Sequence, residues 1–242
     1  MLLVILVKTN KGVVCLPLLM VKAIIFDSSV LIDIPKDKMR LALSKIVSYY
    51  FEPDKFLSDY AKAFKSFQKG LFTEVDFFTE VFKDYDIPMR TVKKVIDTHN
   101  SERDKLVKIR RNVMDTVKAL SPNYKLGILS NMPREWFLRD AKRLGINLSF
   151  FNEVLFASDF KCVKPDKKCF IGICKALKLK PADCVFVTNH EIEATGAGNA
   201  GLSFITLGIP DSDFSIDSIA ELVTMFEPSN DNIKQLHEVN MP

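Results

Sequence analysis

The sequence lacks the features that would assign it to a disulfide scaffold, to nucleic acid or to a repeat architecture. Its five cysteines form no CxxC pair, and their odd number does not suit a closed disulfide framework, so we expect a reducing cytoplasm. No lysine and arginine block is long enough for a nucleic-acid-binding tail, and the formal net charge is only +4. With 242 residues, 48% hydrophobic and 26% charged, the chain suits one large globular domain or one domain with an insertion.

The N-terminal segment is apolar, but two lysines interrupt it, and it falls short of the roughly 20 residues that span a bilayer. No positive region precedes it and no small-residue cleavage site follows, which argues against a secretory signal. The turn-forming residues 9–12 predict a hairpin over residues 1–20, added to a sheet edge. An alternative stays open, in which Met20 is the true start and residues 1–19 do not belong to the protein.

Apolar runs and helical patterns alternate along much of the chain. Residues 21–26 read as a buried strand, and further strands are predicted at 126–129, 154–156, 185–187 and 202–207, with helices beginning at Pro133, Asp166 and Ile192. Such alternation is typical of a doubly wound parallel sheet. The predicted fold class is therefore α/β, with a Rossmann-like parallel sheet core.

Between the first and second strands, the pattern becomes helical. Three apolar stripes recur at helical spacing: Phe56, Tyr60, Phe64 and Phe67; Val75, Phe78, Phe82 and Tyr85; and Leu106, Ile109, Val113, Val117 and Leu120. We therefore predict a helical cap domain at 34–121 inserted into a core formed by 21–33 and 122–227, with a loosely held tail at 228–242.

Four short segments follow predicted strand ends, where open α/β sheets bind their ligands. They are Phe26-Asp27-Ser28-Ser29-Val30-Leu31, Leu129-Ser130-Asn131, Val163-Lys164-Pro165-Asp166 and the stretch 185–197. In this order, and with a cap-sized gap after the first, they resemble the motifs of the haloacid dehalogenase superfamily of hydrolases. The resemblance covers residues 21 to about 207.

This resemblance implies a set of catalytic residues. Asp27 matches the nucleophile that forms a covalent intermediate, and Lys164 matches the lysine that keeps the nucleophile ionised. Ser130 matches the hydroxyl that hydrogen-bonds the transferring group, and Glu193 matches an acid that activates water. Each has a plainer interpretation. Asp27 could hydrogen-bond its own turn, Ser130 could cap a helix, and Lys164 and Glu193 could be solvated surface charges.

Five further residues are candidates for substrate binding, because they lie beside the catalytic positions in the same motifs. They are Ser29, Asn131, Thr188, Asn189 and His190. His190 could act as an acid or base, although a lone histidine is more commonly structural.

The motifs depart from those of magnesium-dependent phosphatases. Such enzymes have a second aspartate at the position of Ser29, a threonine at that of Leu31, and aspartates that hold Mg²⁺ at those of Thr188 and Asn189. Since Mg²⁺ favours carboxylate oxygens, we expect no cofactor and at most weak Mg²⁺ binding, with no metal ligands assigned.

One branch of the superfamily, the haloacid dehalogenases proper, works without metal, and the fourth segment is most similar to that branch. Thr188, Asn189, Glu193 and the run 194–197 follow its scheme, in which no leaving-group acid is needed because halide departs. Ser29, Leu31, His190 and Phe170 differ from it, and no cap arginine for a substrate carboxylate can be placed.

Two functions are compatible with this sequence. The first is a hydrolase of dehalogenase or phosphatase type that uses Asp27 on a small anionic substrate without a full Mg²⁺ site. The second is a catalytically impaired relative that binds a small anion or a protein partner. Neither involves nucleic acid or a membrane, and the sequence gives no oligomeric state.

Overall fold

The computed structural model describes residues 4–9, 12–17, 21–48, 52–210, 212 and 214–226. For the first two ranges, and for Lys36 and Ile46, it describes the backbone alone. The predicted tail at 228–242, the turn residues Asn10 and Lys11 and the alternative start at Met20 lie outside the described residues.

The two N-terminal strands, β1 (Val4–Thr9) and β2 (Gly12–Pro17), pair with each other in an antiparallel register. They form a two-stranded sheet that is separate from the main sheet. The expectation that this segment extends an edge of the main sheet is therefore wrong for the described residues. No helix in the described ranges is both long enough and apolar enough to cross a membrane.

The main sheet has six parallel strands. They are β3 (Ala23–Phe26), β6 (Lys125–Ser130), β7 (Glu153–Phe156), β8 (Cys184–Thr188), β9 (Ser203–Leu207) and β10 (Ser215–Ile216). Their order is β10-β9-β8-β3-β6-β7. The central strands β3 and β8 are buried at every position, as parallel strands with helices on both faces must be. The predicted α/β class with a Rossmann-like sheet is confirmed.

Alternate residues of the central strands enter two different hydrophobic clusters, because successive strand side chains point to opposite faces. Ile24 and Phe26 join the helices α6 (Val113–Leu120), α7 (Arg134–Arg143) and α11 (Glu221–Phe226) on one face. Ala23 and Ile25 join α9 (Lys167–Ala176) and α10 (Glu191–Asn199) on the other. The sheet is thus covered on both sides.

Four helices between β3 and β6 form a separate unit, which we call the helical insertion. They are α2 (Lys36–Val47), α3 (Pro53–Gln68), α4 (Glu74–Val81) and α5 (Met89–Leu106). A capping box between Thr73 and Asp76 starts α4. The insertion leaves and rejoins the core through the short antiparallel strands β4 (Ile32–Asp33) and β5 (Lys108–Ile109). Its aromatic cluster also includes Trp136 of α7, so it packs on the core.

The third predicted helical stripe is wrong. Leu106 ends α5, Ile109 lies in β5, and the next helix begins only at Val113. Val113 and Leu120 pack into the same cluster as the main sheet. This packing favours an end of the helical insertion near β5, earlier than the predicted residue 121.

One cysteine pair also differs from the sequence expectation. Cys162 and Cys169 form a disulfide, whereas Cys174 and Cys184 are buried and free. The pair can meet because the intervening loop turns back on itself, with a hydrogen bond of 3.0 Å from the Asp166 amide to the Val163 carbonyl. One bonded pair is not the closed disulfide framework that the cysteine count argued against, but a disulfide is not the state expected of cysteines in a reducing cytoplasm.

Candidate active site

Asp27 lies where β3 gives way to the short helix α1 (Ser28–Leu31), and its side chain is almost fully buried. Phe26 stands opposite Ile128 and Val187 in the neighbouring strands, so three strands end at about the same level. The Oδ1 atom of Asp27 accepts a hydrogen bond of 2.7 Å from the Ser29 amide, which caps α1. Its second oxygen remains available for another partner.

That partner is Lys164, which comes from the loop between α8 (Ala157–Phe160) and α9. Its Nζ atom contacts Oδ2 of Asp27, lies 2.8 Å from Oε2 of Glu193 and donates to the Leu129 carbonyl at 2.9 Å. An ammonium group has three donors, and all three are used. Burial lowers the pKa of Lys164 from its ordinary value, while the charge and hydrogen bond of Glu193 oppose that shift.

Asn131 holds both Lys164 and Glu193 in position. Its Oδ1 accepts from the Lys164 amide at 2.8 Å, and its Nδ2 donates to the Lys164 carbonyl at 3.1 Å and to Oε1 of Glu193 at 3.2 Å. Glu193 is 7% exposed, so it is not a solvated helical carboxylate. A single amide therefore fixes the backbone of one charged residue and the carboxylate of the other.

The small residues of the fourth motif allow α10 to approach this loop. A Cβ atom at Gly196 would lie 2.6 Å from Cβ of Pro165 and 2.9 Å from its carbonyl oxygen, closer than side-chain atoms tolerate. Glycine at this position thus permits the contact that brings Glu193, three residues earlier on α10, beside Lys164.

Ser130 hydrogen-bonds the residue that follows Asp27. Its hydroxyl is fully buried, lies 2.7 Å from the Ser28 hydroxyl and accepts from the Met132 amide at 2.9 Å. This bond closes a turn two residues long before α7, whose own N-cap, Pro133, has no side-chain hydrogen bond, so the predicted capping role is wrong. Ser130 is not among the residues that line the neighbouring cavity.

The remaining predicted residues divide between the buried network and the cavity wall. Thr188 is buried, with its hydroxyl 3.4 Å from Oε2 of Glu193 and accepting from the His190 amide at 3.2 Å. Ser29 donates its hydroxyl hydrogen to Oδ1 of Asn189. Ser29, Asn189 and His190 all line the cavity.

A cavity of about 690 Å³ separates this end of the sheet from the helical insertion. Asp27, Asn131 and Glu193 contribute to it from the sheet side, and Tyr60 and Phe64 from the insertion. Gln68 at the end of α3 spans the two sides, because its Nε2 donates to the Asn131 carbonyl at 3.0 Å. Two carboxylates of the charged network, Asp27 and Glu193, therefore line a partly apolar cleft.

The sequence did not reveal several residues of the cavity wall. Gln68, His99 and Arg103 lie on helices with no motif, and Trp136 is one residue of a helix predicted only by its start. Arg110 was likewise missed, although it donates to the Ser29 carbonyl at 2.8 Å and to Asp33 at 3.0 Å, and so holds the turn after Asp27. Tertiary packing alone places these residues here.

Among the described residues, no group of three or more histidine, cysteine, aspartate or glutamate side chains is arranged to hold a metal ion. The two carboxylates of the charged network, Asp27 and Glu193, are bridged by the Lys164 ammonium. A divalent cation between them would have to displace that ammonium. Mg²⁺ prefers several oxygen ligands in octahedral geometry, whereas these two carboxylates share one ammonium as their cation.

Known proteins resemble this chain in sequence or in structure. The pyrophosphatase PpaX of Halalkalibacterium halodurans is 27% identical over 164 residues, which are 63% of this chain and 75% of that protein. A 2-haloacid dehalogenase from Pseudomonas syringae pv. Tomato superposes with a TM-score of 0.68 at 19% identity, covering 85% of this chain and 98% of the other. A HAD family enzyme from Bacteroides thetaiotaomicron, solved with magnesium and inorganic phosphate, gives 0.64 at 19% identity, covering 80% and 96%.

At these identities the solved structures establish the shared fold and no more. The sequence profile of the haloacid dehalogenase-like hydrolases matches residues 39–207, which is more than half of the chain. That match begins after Asp27, so the position of this carboxylate rests on the structure and on the motif order. The chain belongs to the haloacid dehalogenase-like hydrolase family.

Proposed function

We propose that this protein is a hydrolase in which the Asp27 carboxylate attacks a small-molecule anionic substrate without a full Mg²⁺ site. One observation carries the proposal, namely that the buried Lys164 ammonium contacts both Asp27 and Glu193, the two carboxylates that line the cavity. A positive charge next to a carboxylate keeps it ionised, as a nucleophile must be.

The first step is displacement of a leaving group from an electrophilic carbon of the substrate. An oxygen of Asp27 forms a bond to that carbon, and the leaving group, such as halide, departs with its bonding electron pair. The product of this step is an ester on Asp27. Lys164 offsets the negative charge on the incoming carboxylate and on the anionic end of the substrate.

The second step is hydrolysis of that ester. Glu193 accepts a proton from water, the resulting hydroxide adds to the Asp27 carbonyl carbon, and the ester bond breaks. The proton on Glu193 passes to the departing alkoxide, which leaves as an alcohol. The carboxylic acid formed on Asp27 then gives its proton through Glu193 to solvent water, which restores both carboxylates. Asn131 serves both steps, because it positions Lys164 and Glu193.

The same attack at phosphorus would cleave a phosphate ester, but this site favours leaving groups that need no proton. Ser29 stands two residues after Asp27, and its hydroxyl is already donated to Asn189. A hydroxyl cannot act as the general acid near neutral pH. Halide and stable aryl oxides therefore suit the site better than alkoxides.

A second candidate function is binding without turnover. It is favoured by Ser29, whose hydroxyl is too weak an acid to protonate a leaving group near neutral pH, and by Leu31, whose buried side chain has no polar atom. In this alternative, the cavity retains a small anion or a protein segment, and Asp27 serves only as a helix cap and ion-pair partner.

Purified protein assayed against 2-haloacids, phosphate monoesters and activated esters separates the two candidates. We expect turnover that is the same with Mg²⁺ and with chelator, and that falls at least a thousandfold in Asp27→Asn. The asparagine keeps an oxygen for the Ser29 amide, so circular dichroism should show a retained fold. A folded wild type with no turnover on any member of the panel supports the binding protein.

A further inference from the structure

The cavity is larger than a small anion such as phosphate needs. Its volume of about 690 Å³ lies in the range of pockets, roughly 300–1,000 Å³, that enclose a drug-sized molecule. A five-atom anion, at about 30 Å³ for each water-sized group, fills only about 150 Å³. Most of the space therefore remains for another part of the ligand.

Polar and apolar groups line different walls of this space. The sheet side offers the reacting residues, whereas the insertion side offers aliphatic and aromatic side chains. The apolar lining residues are Ile32, Ile34, Met39, Leu43, Leu57, Tyr60, Phe64, Met132 and Trp136. A ligand with one charged end and an apolar remainder would match both walls at once.

The aromatic part of this wall is already ordered for ring contacts. Tyr60 and Phe64 stack with centroids 5.8 Å apart, and Phe64 and Trp136 stack at 5.7 Å. Burial raises the pKa of Tyr60, so its ring stays uncharged over the working pH range. Preordered aromatic faces lower the entropic cost of holding a further ring.

The ionisable groups deep in the insertion wall add no net positive charge. Arg103 is ion-paired with the buried Asp140, and its guanidinium lies 4.7 Å from the centre of the Trp136 ring. Burial lowers the pKa of His99 to about 3, so this histidine is neutral at physiological pH. Of the other cations that line the cavity, Arg110 is paired with Asp33 and Arg40 is exposed to solvent. The deep wall thus provides no partner for a second anionic group.

We propose, on the basis of the function proposed above, that the natural substrate joins one anionic reacting group to an apolar body of at least aromatic-ring size. The sheet edge binds the reacting group, and the helical insertion binds the apolar body. Compact anions without an apolar part, such as inorganic pyrophosphate, do not match this cavity, because they leave its apolar wall without a contact.

Trp136, the single tryptophan of the chain, makes the proposal measurable without turnover. Its fluorescence reports occupancy of the cavity, and Asp27→Asn blocks the chemistry. Two ligand pairs differ only in a ring: methyl phosphate with phenyl phosphate, and 2-chloropropionate with 2-chloro-3-phenylpropionate. We expect the ring-bearing member of at least one pair to bind at least tenfold more tightly. The pair that shows the effect identifies the anionic group.

A matched pair of variants locates the ring. Leu57 lines the cavity, whereas Leu71 is 58% exposed and does not. Leu57→Gln should reduce the affinity ratio within the responsive pair at least threefold, and Leu71→Gln should leave the ratio unchanged. Equal affinities within both pairs, no binding of either ring-bearing ligand, or equal effects of the two variants would overturn the proposal.

The outcomes separate this inference from the function on which it rests. Ring-dependent binding without turnover by the wild type means that the hydrolase proposal fails while the ligand class stands. Turnover of small haloacids or phosphates, with no increase in affinity when the ligand carries a ring, means that the hydrolase proposal stands while the ligand class fails.

Discussion

At the scale of single residues, Asp27 combines the two interpretations that the sequence left as alternatives. One oxygen caps α1 and the other meets Lys164. The sequence could identify the position, because a carboxylate directly after a buried strand lies at the ligand-binding edge of the sheet. The sequence could not show that the Lys164 ammonium faces Asp27, because the two residues are far apart in the chain and meet only in the folded protein.

The pKa of Lys164 predicts how activity depends on pH. Burial lowers this pKa, so the ammonium should lose its proton at a pH below the ordinary lysine value of about 10.4. Activity requires the charged form of Lys164. As the pH rises, kcat/KM should therefore begin to fall at a pH below about 10.4. A profile of kcat/KM from roughly pH 6 to pH 10.5 measures this. Lys164→Met should be inactive throughout, and turnover by that variant equal to wild type would refute the assigned role.

His99 predicts a dependence of stability on pH. Its folded-state pKa of about 3 lies below the unfolded value near 6.5, so the unfolded chain binds an extra proton between these values. The contribution of His99 to the free energy of unfolding is thus fully present above about pH 6.5 and is lost as the pH falls toward 3. Between about pH 7 and pH 5 the loss should be about 2 kcal/mol, from roughly 1.36 kcal/mol per unit.

The comparison variant is His99→Phe, which keeps a ring against Trp136 and removes the Nε2 atom that has no hydrogen-bond partner among the described residues. Urea denaturation at about pH 7 and pH 5 should show a smaller loss of unfolding free energy in the variant. An identical loss in both proteins would mean that His99 is protonated in the folded state.

At the scale of secondary structure, strands were easier to predict than the helical insertion. Each predicted core strand matches an observed strand to about two residues at either end, because buried parallel strands are continuous apolar runs bounded by polar turns. The aromatic stripe of α3 was also correct. The stripe that runs from Leu106 to Leu120 failed because helical spacing continued by coincidence across β5, where pairing with β4 fixes an extended backbone.

The most polar helix of the insertion, α5, was missed because it has few apolar residues to form a stripe. Its attachment to the core depends on Arg103, which is ion-paired with Asp140 of α7 in a buried setting. Neither residue stands in a recognisable motif. The two residues meet only because α5 packs against α7 in the folded protein.

This ion pair predicts a large difference between single and double substitutions. Arg103→Met or Asp140→Leu alone should lower the unfolding free energy by about 3–5 kcal/mol, because each leaves a buried group without its partner. The double variant Arg103→Met with Asp140→Leu should lose less than the sum of the single losses. Urea denaturation of the four proteins tests this, and additive losses would show that the pair does not couple the two helices.

At the scale of the whole molecule, the site lies where the sheet edge meets the helical insertion. The motifs that predicted Asp27, Lys164, Asn131 and Glu193 all come from the core, and the structure gathers these four residues into one hydrogen-bonded network. The wall from the insertion was not predictable, because its residues share no spacing with the motifs and meet the site only through packing. The sequence therefore located the residues of the charged network better than those of the cavity wall.

The most direct test of the account is to trap the intermediate on Asp27. Glu193→Gln should let the substrate react with Asp27 but should slow hydrolysis of the ester, because the water loses its base. Incubated with the substrate that wild type turns over fastest, this variant should gain mass equal to the substrate without its leaving group. Peptide mapping should place that mass on Asp27. Turnover by wild type with no adduct in the variant, or an adduct on another residue, would contradict the account.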